Sequence, residues 1–136
     1  MDLHSVLYSR TGASRPSVII GTWTALLILV TVGELLPGNA APMKTLSDIG
    51  LSDIAMHFGA YAVLAFVPTV GLPLKTIVRC LLVNQLVGVA LEFGQALVPG
   101  RSCDPYDAIA NTVGLVAGAI IAGVVRSRLA RRRQAS

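Results

Sequence analysis

Four long apolar blocks constrain this chain more than any other feature, because each is long enough to cross a lipid bilayer. They cover residues 18–36, 54–71, 76–98 and 107–125. A helix rises about 1.5 Å per residue, so roughly 20 apolar residues cross a hydrocarbon core about 30 Å thick. Lipid offers no partners to backbone groups, which a helix pairs internally. The sequence therefore predicts an all-α polytopic membrane protein with four transmembrane helices in an antiparallel bundle.

Composition agrees with this class. The chain has 136 residues, of which 54% are hydrophobic and 13% charged, whereas soluble domains have about a quarter charged residues. Its mean hydropathy is +0.70. We expect one transmembrane domain over residues 18–125, with a tail at residues 1–17 and a basic tail at residues 126–136.

Basic residues predict the orientation of the helices. Nine of the 11 lysines and arginines lie on one side: seven in the two tails, Lys75 in a predicted tight turn at residues 72–75, and Arg79 just inside the third span. Cytoplasmic segments carry such an excess, so both termini are expected in the cytoplasm. Only Lys44 and Arg101 fall on the outer side. The arginines after the last span are explained by orientation and by contact with anionic lipid, so no nucleic-acid partner is expected.

The first block has a second interpretation as a secretory signal peptide. Arg15, the apolar run and the small residues at 38–41 resemble the charged, apolar and cleavage regions of such a peptide. The run is long for that role, and Glu34 carries a polar group where the other spans also do. The main prediction retains the span, while the alternative leaves three spans and an outer N-terminus.

Polar residues recur at one depth of the predicted bundle. His57, Glu92 and Asn111 each lie five residues outward from the centre of their span. At 1.5 Å per residue, all three lie about 7–8 Å from the midplane. Glu34 of the first span lies slightly closer to the outer surface.

These residues also share helix faces with other polar residues. Asp53, His57 and Tyr61 are spaced by four, as are Asp107 and Asn111. A charged residue facing lipid costs about 2.5–3.5 kcal/mol, so we expect these faces to turn toward each other. The prediction is an outward-facing polar pocket. Its candidate residues are Glu34, Asp53, His57, Tyr61, Glu92, Gln95, Arg101, Asp107 and Asn111.

Each candidate also has a structural interpretation. His57 is explained equally well as a neutral hydrogen-bond link between helices. Gln95 and Asn111 are more simply hydrogen-bonded contacts between helices. Glu92 favours a function, because an uncharged amide would serve structure equally well.

The outer loop contributes one cation, Arg101, directly after Pro99 and Gly100. An arginine held in a turn suits bidentate contact with an anionic headgroup or phosphate. Pairing with Asp104 or Asp107 is the other interpretation. Asp104 before a proline predicts a helix N-cap.

Small residues on the last span predict a packing surface. Gly114 and Gly118 form a GxxxG step, which lets a neighbouring helix approach closely.

Taken in order, these motifs resemble the VanZ-like family. The resemblance rests on Glu92-x-x-Gln95, Pro99-Gly100-Arg101 and Asp107-x-x-x-Asn111, with the two glycines following, and on Asp53-x-x-x-His57-Phe58-x-x-Tyr61 upstream. Ile54 stands where the family often has lysine, which leaves the ion pairing of Asp53 open. The resemblance implies a small protein of the bacterial cytoplasmic membrane and cell envelope, in a family whose namesake is linked to teicoplanin resistance. It implies no settled reaction.

Three functions remain open at this point. The first is a protein that binds or modulates a lipid headgroup, a lipid-linked wall precursor or a glycopeptide antibiotic, without cofactor or resident metal. The second is a membrane-embedded hydrolase or transferase with His57 or Glu92 as general base; its metal-assisted form uses His57 with Asp53, Glu92 or Asp107. The third is a small transporter, which would require a homodimer, formed through Gly114 and Gly118. No catalytic residue is assigned.

Overall fold

The protein is represented by a computed structural model that describes residues 14–135. Four of the helices in this range are long and apolar enough to cross a membrane, so the predicted all-α architecture with four spans is confirmed. A fifth, short helix lies between the first two spans. The helices are α1 (Ser14–Glu34), α2 (Ala41–Asp48), α3 (Asp53–Gly71), α4 (Leu74–Gln95) and α5 (Pro105–Gln134).

Helix bounds differ from the expected spans by three residues or more at three places. Most of the predicted N-terminal tail, residues 1–13, lies outside the described residues, while residues 14–17 already belong to α1. Helix α4 ends at Gln95, three residues before the predicted end, and turns follow up to residue 100. Helix α5 continues through most of the basic tail, because alanine, leucine and arginine are strong helix formers.

Helices α3 and α5 form the most extensive contact in the described bundle. Sequence neighbours run antiparallel, but these two helices run parallel. Gly114 lies against the backbone of Phe58, and Gly118 lies against that of Ala62 one turn further along both helices. A side chain at either glycine would collide with an α3 carbonyl. Since α3 of the same chain covers this GxxxG surface, it is not available to a second copy.

Asn84 of α4 compensates for a proline in α3. Pro68 has no backbone N–H, so the carbonyl of Leu64 lacks its usual helical donor. The Asn84 side chain donates to that carbonyl at 3.3 Å. Its own oxygen accepts from the indole of Trp23 at 3.2 Å, and Asn84 is fully buried. One amide therefore joins α1, α3 and α4 in a region where lipid provides no alternative partner.

The end of α3 is capped by an arginine from α5. The last carbonyls of a helix have no partner within the helix. Arg126 Nη1 donates to the carbonyl of Leu72 at 2.7 Å and to that of Thr69 at 3.3 Å. The connection from α3 to α4 contains only Leu72 and Pro73. The observed turn is therefore two residues shorter than the predicted tight turn at residues 72–75.

The other end of the bundle, which we call the α2 end, contains residues 35–52 and 96–104. The connection between α1 and α2 touches the connection between α4 and α5 at Gly38 and Gly100. The approach is so close that a Cβ added to Gly38 would lie 2.8 Å from the carbonyl oxygen of Gly100. Gly100 has a positive φ of 76°, which favours glycine. Asp104 accepts from the Tyr106 N–H at 2.9 Å, so the predicted N-cap of the last span is confirmed.

Candidate functional site

His57 of α3 occupies the centre of a buried polar cluster near the α2 end. Its Nδ1 lies 3.0 Å from Asn111 Oδ1 of α5 and 3.4 Å from Glu34 Oε1 of α1. Glu92 Oε1 of α4 lies 3.9 Å from the same nitrogen. On the opposite side of the ring, Nε2 lies 3.7 Å from Asp107 Oδ2. The other three membrane-spanning helices thus each bring a polar side chain to this imidazole of α3.

Helical spacing explains how the chain assembles this cluster. Asp107 and Asn111 lie one turn apart on α5, so one faces each side of the His57 ring. The parallel contact of α3 and α5 keeps that register, because the two glycine steps allow the backbones to approach closely. Glu92 reaches the ring from α4, and Glu34 reaches it from the last residue of α1.

The cluster contains three buried carboxyl groups and few donors. Glu34, Glu92 and Asp107 are all less than 10% exposed. Neither oxygen of Glu92 has a hydrogen-bond partner among the described residues, and Glu34 Oε1 and Asn111 Nδ2 also lack one. The 3.9 Å contact of Glu92 with His57 is too long for a hydrogen bond. Buried polar groups are normally paired, so these atoms are available to a water, an ion or a ligand.

Two further polar residues surround Glu34. The hydroxyl of Tyr61 lies 3.5 Å from Glu34 Oε2, at the long limit for a hydrogen bond. Gln95 donates from Nε2 to the backbone carbonyl of Glu34 at 3.1 Å. Gly88 of α4 allows this arrangement, because a Cβ there would lie 2.9 Å from the Tyr61 hydroxyl. Tyr61 and Gln95 therefore position the end of α1 against the cluster.

Arg101 lies above the cluster in the loop before α5. Its Nε donates to the carbonyl of Leu36 at 3.2 Å, and its Nη2 donates to Met43 Sδ at 3.3 Å. Its Nη1 lies 3.7 Å from Asp53 Oδ1. The pairing with Asp104 or Asp107 considered from the sequence is therefore wrong. Asp104 instead caps α5, and Asp107 faces His57.

Exposure distinguishes the two partners of this ion pair. The Arg101 side chain is only 8% exposed, whereas the Asp53 side chain is 59% exposed. The arginine is held by the loop and α2, while the aspartate, at the start of α3, remains accessible. Asp53 therefore lies at the rim of the site and outside the buried cluster.

Among the described residues, three cavities meet at this ion pair, and the two larger ones differ in character. An apolar cavity of about 280 Å³ lies between α1, α2 and α3, with His57 and Glu34 at its polar end. A polar cavity of about 280 Å³ extends from the ion pair over Gln95 and Asp107. Asp53 and Arg101 line both cavities. The residues that complete the apolar cavity are Val30, Gly33, Met43, Leu46, Met56 and Ala60.

The structure brings eight of the nine predicted pocket residues to the buried cluster or directly above it, and places the ninth, Asp53, at the rim. Sequence reasoning missed Met43 and Leu46, although their i, i+3 spacing among polar residues is the pattern of a short amphipathic helix. It also missed Asn84, although Pro68 already implied an unpaired carbonyl on Leu64. Gln85, a further polar residue of α4, donates from Nε2 to Thr112 Oγ1 at 3.1 Å and takes no part in the cluster.

Together these features define a small polytopic membrane protein with a buried ionisable centre beneath one end of its bundle. A family comparison agrees with that class. The family described as VanZ/LLP1 matches residues 31–126, which include every residue of the cluster, and the chain belongs to this family. Comparison with curated proteins and with solved structures finds no match.

Proposed function

We propose that this protein binds an amphiphile of the bacterial cell envelope, with its anionic headgroup at Arg101 and its hydrocarbon chain in the apolar cavity. The observation that carries the proposal is the meeting of an apolar and a polar cavity at one buried arginine. The headgroup chemistry is a phosphate on an acyl or polyprenyl chain, which a membrane lipid and a lipid-linked wall precursor share.

Arg101 has the chemistry for this role. A guanidinium binds phosphate through two parallel hydrogen bonds. Two side-chain hydrogen bonds, to Leu36 and Met43, hold Arg101 in place. Its contact with the exposed Asp53 is beyond hydrogen-bond distance, so an anion can replace that carboxylate. Ser52 and Ser102 line the polar cavity and offer hydroxyl donors to the headgroup.

The apolar cavity supports the hydrocarbon part of the proposal. Its volume of about 280 Å³ is close to the lower end for small-molecule pockets, about 300–1,000 Å³. It therefore accommodates a segment of chain, while the remainder extends into the bilayer. The proposed orientation places the α2 end outside the cytoplasmic membrane and both termini in the cytoplasm, as the positions of the basic residues favour.

Filling the cavity tests the proposal directly. Gly33 lines it, and a Cβ at this position meets nothing within 4 Å, so Gly33→Leu adds a side chain without a collision at its base. Gly21→Leu is the matched control, because Gly21 lies on the same helix with equal space and outside the cavity. The measurement is native mass spectrometry of the protein purified from membranes, with phosphatidylglycerol and undecaprenyl phosphate added as probes.

We expect wild type and Gly21→Leu to retain an anionic lipid, and Gly33→Leu and Arg101→Gln to lose most of it. Lys44→Gln removes the other cation of this end and should retain binding. Equal retention in all five proteins would reject the site. If glycopeptide resistance depends on this capture, Arg101→Gln should also lower the teicoplanin tolerance of a host that expresses the protein.

A second function, lipid hydrolysis or group transfer, is favoured by the position of His57. The imidazole lies at the polar end of the apolar cavity, and Asp107 beside its Nε2 lines the polar cavity. A general base placed where chain and headgroup meet is suited to cleavage there. Binding without turnover by the wild type on both probe lipids would reject this second function and leave the first intact.

A further inference from the structure

We propose that His57, Glu92 and Asp107 form a binding site for a divalent transition-metal ion of the zinc or manganese class. The inference goes beyond the binding of an amphiphile and does not depend on it. It rests on three independent features of the cluster, which are the distances between donor atoms, the unpaired carboxylate of Glu92 and the orientation of the imidazole.

The donor atoms are close enough to share one ion. One ligand atom from each of the three residues lies within 4.8 Å of the other two. His57 Nε2 and Asp107 Oδ2 are 3.7 Å apart. Two ligands at about 2.0–2.2 Å from an ion can be at most about 4.4 Å apart. Ligands of a tetrahedral ion lie about 3.4 Å apart, so the widest pair closes by up to about 1.4 Å, which rotation of the side chains provides.

Glu92 supplies the second observation. Its residue is 97% buried, yet neither carboxylate oxygen has a hydrogen-bond partner among the described residues. Glu34 and Asp107 add two more buried carboxyl groups around one imidazole. Burying a carboxylate without a partner is costly, and an ion of charge +2 offsets more of that cost than a single imidazolium.

The environment of the imidazole selects its metal-binding nitrogen. Asn111 Oδ1 and Glu34 Oε1 face Nδ1 at 3.0 and 3.4 Å, and both are acceptors. Nδ1 therefore carries the proton, and Nε2 presents its lone pair on the side of Asp107. Metal-bound histidines usually donate their second N–H to such an acceptor, which fixes the ring. Asn111 fills that supporting role. Glu92 Oε1 lies 3.9 Å from Nδ1, beyond hydrogen-bond distance, so its carboxylate turns toward the Nε2 side when it binds the ion.

The donor set indicates the class of metal. One imidazole nitrogen and two carboxylates suit zinc or manganese, whereas soft ions prefer thiolate or thioether ligands. The only described cysteines, Cys80 and Cys103, are not among the ligands. Three protein ligands leave a coordination position open, which is typical of zinc sites that bind water or substrate. Asp107 lines the polar cavity, so the open position faces the proposed headgroup site.

Metal titration of the full chain tests the inference. Protein without a histidine tag is stripped with chelator in detergent, titrated with Zn²⁺ or Mn²⁺, and assayed for bound metal by plasma mass spectrometry. Glu92→Gln and Asp107→Asn each remove one ligand charge with almost no change of shape. Asp48→Asn on α2 is the control, because it makes the same charge change outside the cluster.

We expect about one ion per chain in wild type and in Asp48→Asn, and a Kd at least about tenfold higher in both cluster variants. The metal should also raise the thermal unfolding temperature of wild type and leave that of Glu92→Gln unchanged. Without metal, Glu92→Gln should unfold at or above the wild-type temperature, since it removes an unpaired charge. Failure of wild type to bind both ions, or equal binding by all four proteins, would overturn the site.

Discussion

Nδ1 of His57 and Oδ1 of Asn111 lie 3.0 Å apart inside the interface between α3 and α5. The two residues are 54 positions apart in the chain, and both are almost fully buried. This hydrogen bond combines two roles. It joins the two most closely packed helices, and it orients the imidazole so that Nε2 faces Asp107.

Asn111→Leu removes the acceptor and leaves the His57 N–H without this partner in the bundle. We expect the free energy of unfolding to fall by about 1–2 kcal/mol, in line with a lost buried hydrogen bond between membrane helices. Thermal unfolding in detergent, followed by circular dichroism, measures the change. Val113→Ala, on the exposed face of the same helix, should change it far less. Equal effects of the two substitutions would show that the bond contributes nothing measurable.

The amide of Asn84 allows a test that separates backbone pairing from side-chain packing. Asn84→Leu leaves the Leu64 carbonyl without a donor, because Pro68 cannot supply one. Pro68→Ala restores the missing N–H. We therefore expect Asn84→Leu to cost about 1–2 kcal/mol in wild type and about 0.5–1 kcal/mol less in the Pro68→Ala background.

The measurement is a double-mutant cycle on the free energy of unfolding in detergent. Trp23 also loses its acceptor in both backgrounds, so that loss cancels in the comparison. An identical cost of Asn84→Leu with and without Pro68 would mean that the amide does not compensate for the proline.

The four spans were predictable because hydropathy is a local property that a window of about 20 residues contains. Much of the cluster was predictable for a similar reason. Depth and helical face follow from counting along one helix, and charges inside a membrane must turn away from lipid. Counting placed His57, Glu92 and Asn111 at one level, and the structure brings them to one site.

Contacts that depend on loop paths were not predictable in this way. Arg101 reaches Asp53 across the α2 end, 48 positions away, because Gly38 and Gly100 bring two connections together. The residues before α5 do not indicate whether Arg101 pairs with Asp53, Asp104 or Asp107. Helix α2 has no buried residue, but Met43 and Leu46 lie three positions apart among polar residues and form an apolar face on a short amphipathic helix. That pattern indicates a covering helix, but it does not indicate which part of the bundle the helix covers.

Two glycines on α5 predict opposite responses to the same substitution. A Cβ on Gly118 would collide with the backbone carbonyl of Ala62, while one on Gly123 meets nothing within 4 Å. Backbone cannot move aside as a side chain can, so Gly118→Val must push α3 and α5 apart. Because overpacking typically costs about 1–3 kcal/mol, we expect a loss of at least that size for Gly118→Val.

Gly123→Val should leave the unfolding temperature within a few degrees of wild type. Both variants are measured by thermal unfolding in the same detergent. Since α3 of the same chain covers the glycine surface, the oligomeric state of Gly123→Val should also equal that of wild type. A tolerated Gly118→Val would mean that the two helices do not pack through this step.

The two cysteines test the proposed orientation of the helices. Cys103 is exposed in the loop before α5, and Cys80 is buried among Ile77 and Leu72 near the opposite end. With the α2 end outside the membrane, a membrane-impermeant maleimide should label wild type in intact cells, and labelling should disappear in Cys103→Ser. Labelling of Cys103 only after the cells are permeabilised would reverse the orientation. It would also place Arg101 and the proposed headgroup site on the cytoplasmic side, where wall precursors are assembled rather than presented to glycopeptides.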